Sequence, residues 1–332
     1  MKHEILFMKH VILFVKFFSF ILCASCYTLY ATSINAQQIT LSLSPSLIET
    51  IIKPGKAILI AYNLKNLGDP TVVKAKVLPF IPKDNYGNIT IKDEFEGPVR
   101  FSLDNSLIKL DEPFTLKSGE NQQLLLRIRL PEGAPVGDYY YTLLVETQPA
   151  PELGGSTAST ARASVGANII ITVTDTGILD TKGRISFFDV LTKVKFFGRT
   201  MRIFDSNDKI PVALVILNQG KNVVKPKGEI VLRGNFGEKA TYDILPQNIL
   251  AESQRLILAT PSAGLEKQPV SLVLKGFFVG RYSLLANVGF TEEGPATVFS
   301  STAFFAFPFK IGLAILAAVL IGVIIIRRVK ET

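Results

Sequence analysis

The sequence predicts an all-β ectodomain of two tandem β-sandwiches followed by one C-terminal transmembrane α-helix. Three observations predict it. Short β-branched or aromatic runs such as "QQLLLRIRL", "YYYTLLVET" and "ANIIITVTD" are separated by Gly, Pro, Asn and Asp, which is how strands and turns punctuate a chain. "YNLKNLGDPTVVKAKV" from Tyr62 is echoed about one domain-length later by "VILNQGKNVVKPKGEI" from Val215. The uncharged run "IGLAILAAVLIGVIII" from Ile311 lies close to the end of the chain.

In chain order, residues 1–36 run from the charged "MKHEILFMKH" through the apolar "VILFVKFFSFILCASC" to "YTLYATSINA". That order is the one of a secretory signal, with the cut expected after Ala36. Met8 repeats the "MKH" of Met1 and offers a second start. An uncleaved anchor is the alternative, and a lipid-modified Cys26 is disfavoured because Cys23 stands where a lipobox wants Leu.

The first sandwich is expected over 37–176 and the second over 183–302, with "TDTGILDTKG" as the turn-rich link between them. "LLLRIRL" alternates Leu126, Ile128 and Leu130 against Arg127 and Arg129, the period of a half-buried strand. The polar stretch 148–164 reads as a long mobile loop between the last two strands of the first domain, since "ANIIITVTD" follows it. "GRISFFDVLTKVKFFGRTMRIF" has two readings, a basic amphipathic helix or strands opening the second domain. Its β-branched and aromatic content and Gly198 favour strands.

About seven strands in each domain fit an immunoglobulin-like sandwich. Aligning Asn66 with Asn218 also aligns Gly68 with Gly220, and then Val72, Val73, Lys74 and Lys76 with Val223, Val224, Lys225 and Lys227. The expectation is a hairpin whose Gly takes positive φ and whose Val-Val-Lys returns as the neighbouring strand. "GDYYYTLL" and "GRYSLLAN" share a Gly-x-Tyr opening, expected to place a Tyr ring in the sandwich corner with its hydroxyl on a loop backbone group.

The transmembrane helix is expected over 304–326, with Lys310 at the boundary, its stem in lipid and its ammonium among headgroups. Arg327, Arg328 and Lys330 form the basic cluster that stays cytoplasmic, so 327–332 is the tail of a single-pass membrane protein.

Composition narrows the chemistry. The formal charge is +8, of which leader and tail contribute +2 each, leaving a mild +4 that is no nucleic-acid footprint. The only histidines are His3 and His10, the only cysteines Cys23 and Cys26, and there is no Trp. Past the leader, a Ser-His-Asp triad, a Cys-His pair, a His-liganded zinc and a disulfide frame are excluded by inventory. Acidic clusters such as "KDEFE" from Lys92 and "TEEG" from Thr291 sit in turn-like contexts. "KDNYGN" with Asp84, Asn85 and Asn88, and "FDSNDK" with Asp205, Asn207 and Asp208, lack the spacing of a calcium loop and read as turns. No catalytic, cofactor-binding or metal residue is assigned and no cofactor is expected.

Two stretches carry a resemblance. "LKSGENQQLLLRIRLPEGAPVGDYYYTLLVET" from Leu116 and "NQGKNVVKPKGEIVLRGNFGEKATYDILPQNILAESQRLI" from Asn218 resemble the WxL-interacting bacterial cell-surface proteins, in a signal peptide, two Ig-like domains and one C-terminal membrane helix. The residues are Pro131, Pro135, Gly137, Tyr139, Asn218, Gly220, Pro226 and Gly228. The resemblance implies a first domain that binds surface proteins and wall peptidoglycan, and a second that binds host components. The leading expectation is therefore a non-catalytic surface protein that binds a surface protein or cell-wall polymer. An export or assembly accessory is the alternative, and a glycosidase with paired carboxylates is the third reading.

Overall fold

A computed structural model describes residues 38–148, 162–191, 194–196, 199–261, 270–290 and 297–331. The leader lies outside them, as does most of the loop expected at 148–164. Strand pairing divides the chain into two sandwiches. In the first, β1 (Leu41–Ser44), β3 (Ala57–Asn66), β8 (Asn121–Arg129) and β6 (Arg100–Leu103) form one sheet in that order. The facing sheet runs β2 (Leu47–Ile52), β10 (Ser164–Val173), β9 (Gly137–Thr147), β4 (Thr71–Pro82) and β5 (Ile89–Ile91), with β7 (Pro113–Leu116) also on β4.

In the second, β11 (Gly183–Val190), β15 (Ile210–Asn218) and β18 (Gln254–Leu256) form one sheet, with β19 (Leu272–Leu274) also on β15. Opposite lie β14 (Ile203–Asp205), β21 (Thr297–Phe307), β20 (Gly280–Gly289), β16 (Lys227–Gly234) and β17 (Lys239–Asp243). A hairpin of β12 (Val194–Phe196) and β13 (Arg199–Met201) intervenes between β11 and β14. The basic amphipathic reading of this stretch is thus replaced by strands. Helix α1 (Phe309–Glu331) follows β21.

The fold is all-β with one C-terminal helix, and alternation explains why. On β8, Leu124, Leu126 and Ile128 are buried and Arg127 and Arg129 exposed. Each sandwich closes over its own apolar core, around Tyr62 and Tyr141 in the first and around Phe304 and Tyr282 in the second. Strands outnumber the seven expected, in part because the opening strand of each domain is split between the two sheets and in part because short strands such as β5, β7, β12 and β13 are added. β1 pairs antiparallel with β3 while β2 pairs parallel with β10; β11 pairs antiparallel with β15 while β14 pairs parallel with β21.

Two expectations are corrected here. The Asn-x-Gly phrase makes no hairpin, because β3 and β4 belong to opposite sheets, as do β15 and β16. It is an arch between sheets, and neither Gly68 nor Gly220 has a positive φ. Glycine is needed for close approach: a Cβ would stand 2.0 Å from the Gln38 carbonyl oxygen at Gly68 and 2.0 Å from that of Asp180 at Gly220. The second correction concerns the helix start. Residues 304–307 continue β21, with Phe304 and Ala306 buried and Phe305 and Phe307 exposed. Hydropathy alone counted this two-faced apolar strand as part of the span, which begins at Phe309, after Pro308.

Candidate functional site

Each arch is closed by one fully buried asparagine. The Asn66 amide donates to the carbonyls of Asp69 (2.8 Å), Leu116 (3.4 Å) and Lys117 (3.2 Å), and its Oδ1 accepts from the Gly68 N–H (3.0 Å). Asn218 donates to Asn222 (2.8 Å), Ile249 (3.0 Å) and Leu250 (3.1 Å) and accepts from Gly220 (2.9 Å). A buried side chain with this much satisfied capacity is a structural staple. These echoed residues therefore build the fold.

The ladders place the arch and the Gly-x-Tyr start at opposite ends of each sandwich, since Val73 pairs with Thr147 and Pro79 with Tyr141. Gly137 and Gly280, unlike the arch glycines, do have positive φ. The Tyr139 hydroxyl donates to the Pro135 carbonyl at 2.9 Å. That of Tyr282 instead donates to Glu238 (3.1 Å) and accepts from the Val279 N–H (3.4 Å). The corner role is filled in both domains, with different partners.

The Gly-x-Tyr end of the first sandwich docks on the arch of the second. Asp138 accepts from Asn222 Nδ2 (2.9 Å) and from the Val223 N–H, while Thr172 bonds the same carboxylate within its own domain (2.8 Å). Tyr140 accepts from the Ala251 N–H at 2.8 Å, and burial raises its hydroxyl pKa. Glu49 takes both Lys225 and Asn248. The "KDNYGN" stretch is a turn that serves this joint. Asp84 accepts from the Tyr86 and Asn88 N–H groups (2.8 and 3.2 Å) and from the Asn88 amide (2.7 Å), which holds its pKa below the usual carboxylate range. Gly87 leaves room for the Arg255 guanidinium, whose Cζ a Cβ would approach to 2.4 Å. The Asn85 carbonyl accepts from the Leu256 N–H at 2.6 Å.

"FDSNDK" is also a turn, and it grips the helix. Asp205, 1% exposed, accepts the Lys310 backbone N–H at 2.9 Å, and the Lys310 ammonium pairs with Asp208 and stands 3.9 Å from Asp205. The Lys310 ammonium is therefore drawn onto the sandwich, because two carboxylates lie within its reach. Among the described residues no group of three or more His, Cys, Asp or Glu is placed to hold a metal.

What remains open is a strand edge. β2 pairs with β10 only from Asn168 onward, so among the described residues Ser164–Ala167 is hydrogen-bonded to β9 on one side and to no strand on the other. The cause is the switch at Pro45 and Ser46, which sends β1 to the opposite sheet. This edge lies at the arch end of the first sandwich, away from the joint, where the loop from Gln148 begins. Sequence patterning finds β10 as a strand but not its half-paired state, which depends on where β2 stops.

No family model matches the chain, and no curated protein matches it. Among solved structures, the class 5 fimbriae chaperone CfaA is 12% identical over 80% of this chain and 99% of that one, with a TM-score of 0.36. The E. coli chaperone DraB is 14% identical over 81% of this chain and 97% of that one, with a TM-score of 0.36. A Salmonella enterica SafA pilin complex with the SafB chaperone matches at 10% identity over 80% of this chain and 98% of that chain, with a TM-score of 0.35.

Proposed function

We propose that this protein is a membrane-anchored, non-catalytic surface protein whose first sandwich binds an extended segment of another protein. The observation that carries the reading is the half-paired edge of β10 at Ser164–Ala167. A strand with one side unpaired offers backbone donors and acceptors that an incoming strand completes. The edge stands at the far end of a two-domain arm that the Asp138, Tyr140 and Glu49 bonds hold together. The apolar span Phe309–Val329, with a mean hydropathy of 2.8, anchors the other end. This accords with the surface-protein partner that the resemblance to the WxL-interacting family implies. An export accessory would use the same edge, and differs in holding a client that is not yet folded.

The test is photocrosslinking of the full chain, in detergent and in its host's envelope, with a benzophenone amino acid at the exposed Ser164 and, as control, at Phe95. A saturable protein adduct at Ser164 alone supports the reading. Adduct formation at both positions or neither, or retention only on wall polymer, overturns it.

A further inference from the structure

The end of the second sandwich from which α1 leaves carries a cluster that neither the core nor the joint uses. Phe236 lies in the β16–β17 turn, Phe277 in the loop before β20, and Phe307 at the end of β21; they are 76%, 58% and 62% exposed. All three belong to one end of the domain, because Gly234 pairs with Tyr282 and Gly280 with Ala306. The Phe278 N–H donates to the Ser206 carbonyl, which brings the Phe277 loop beside the turn that grips Lys310. Lys275 and Arg281 are exposed around these rings, and Arg281 pairs in register with Phe305.

We infer that this end is a lipid-contact surface: Phe236, Phe277 and Phe307 enter the headgroup layer of the bilayer that α1 crosses, and Lys275 and Arg281 meet phospholipid phosphates. The inference rests on reading Phe309–Val329 as membrane-spanning. Those 21 residues extend about 31 Å at ~1.5 Å each, enough to fill a hydrocarbon core of about 30 Å and set Phe309 at its edge. Only Pro308 separates β21 from α1. Phe307 then stands about 7 Å outside the core at ~3.3 Å per extended residue, within a headgroup layer of about 5–7 Å. Asp205, through the Lys310 N–H, fixes the helix to the sandwich, so the domain has no tether on which to rise from the surface. Phenylalanine tips with a basic rim are the composition that lies in such an interface.

The chain has no Trp, so single substitutions report depth cleanly. The full chain is reconstituted into vesicles of equal parts phosphatidylglycerol and phosphatidylcholine brominated high or low on the acyl chain. Phe236→Trp and Phe277→Trp are expected to lose more than half their emission to shallow bromines. Phe299→Trp, far up β21, is expected to keep its emission, and Leu320→Trp to be quenched by deep bromines. Replacing Lys275 and Arg281 together by Glu is expected to restore emission at 236 and 277. If Leu320→Trp is quenched while 236 and 277 stay as bright as 299, the seat is overturned and the span stands. If all positions stay bright, the span fails and the seat fails with it. Quenching at 236 and 277 without quenching at 320 upholds the surface contact and removes the span.

Discussion

The Gly-x-Tyr ends of the two sandwiches are built alike and meet different surroundings. In the first, the middle residue is Asp138, whose carboxylate receives Asn222 and Val223 of the second domain. In the second, it is Arg281, exposed beside Phe305 at the end that the helix leaves. The arches differ in parallel. Asp69 Oδ2 accepts the Gln38 N–H at 2.8 Å, and Asn222 Oδ1 accepts the Asp180 N–H at 2.8 Å in the corresponding place. Only the asparagine has a donor left over, and that donor reaches Asp138. Asp138 against Arg281, and Asn222 against Asp69, are thus side chains that differ between equivalent ends, while the buried frame is held constant.

The largest expected effects test that constancy. Gly68→Ala and Gly220→Ala each force a Cβ onto a carbonyl oxygen 2.0 Å away, and each is expected to cost about 3 kcal/mol as an overpacked site. Gly133→Ala, with nothing within 4 Å, is the matched control. Thermal unfolding of the detergent-solubilised chain measures all three, and tolerance at one arch alone would break the equivalence. Asn66→Ala and Asn218→Ala follow at about 2 kcal/mol each, since three carbonyls lose their shared donor.

These residues were visible in the sequence for a reason that proved different. The echo marked Asn66, Gly68, Asn218 and Gly220, yet pointed to a hairpin, because a short polar turn between two apolar runs looks the same whether the chain returns in its own sheet or crosses to the other. The strands themselves were legible from alternation, as β8 shows. The joint was not: Asp138 and Asn222 are 84 residues apart, and neither carries a periodic signal. Phe236 and Phe277 were equally silent, since a lone Phe in a turn acquires meaning only when the ladders bring the two turns to one end.

The joint is the next place to press the comparison. Asn222→Asp makes the second arch chemically like the first and sets a carboxylate against Asp138. The expected loss is about 2 kcal/mol of domain docking, the scale of a charge-assisted bond removed. Limited proteolysis of the 174–182 link would report it as faster cleavage. Adding Asp138→Asn to the same chain is expected to restore protection, and failure of the pair to rescue would mean the effect arises inside the arch.

The smallest effect concerns the other end. Lys310 and Asp208 are an exposed pair, with side chains 61% and 36% accessible, and solvent screening leaves such pairs little net weight in stability. The bond to Lys310, foremost, holds the Asp208 carboxyl below its usual range. A depressed carboxylate pKa means stability that is fully present above the unfolded value near about 4 and is lost only as pH falls through the lower folded value. Mild acid should therefore leave the helix in place. Lys310→Gln should do nearly the same, because the buried Asp205 bonds the backbone N–H, which that substitution retains. The readout is Phe277→Trp quenching in vesicles, compared with and without Lys310→Gln. Unchanged depth places the orientation of the second sandwich in its continuity with the helix and its aromatic tips. A shift outward would place it in the surface ion pair, and the two ends of the domain would then be held by the same kind of bond.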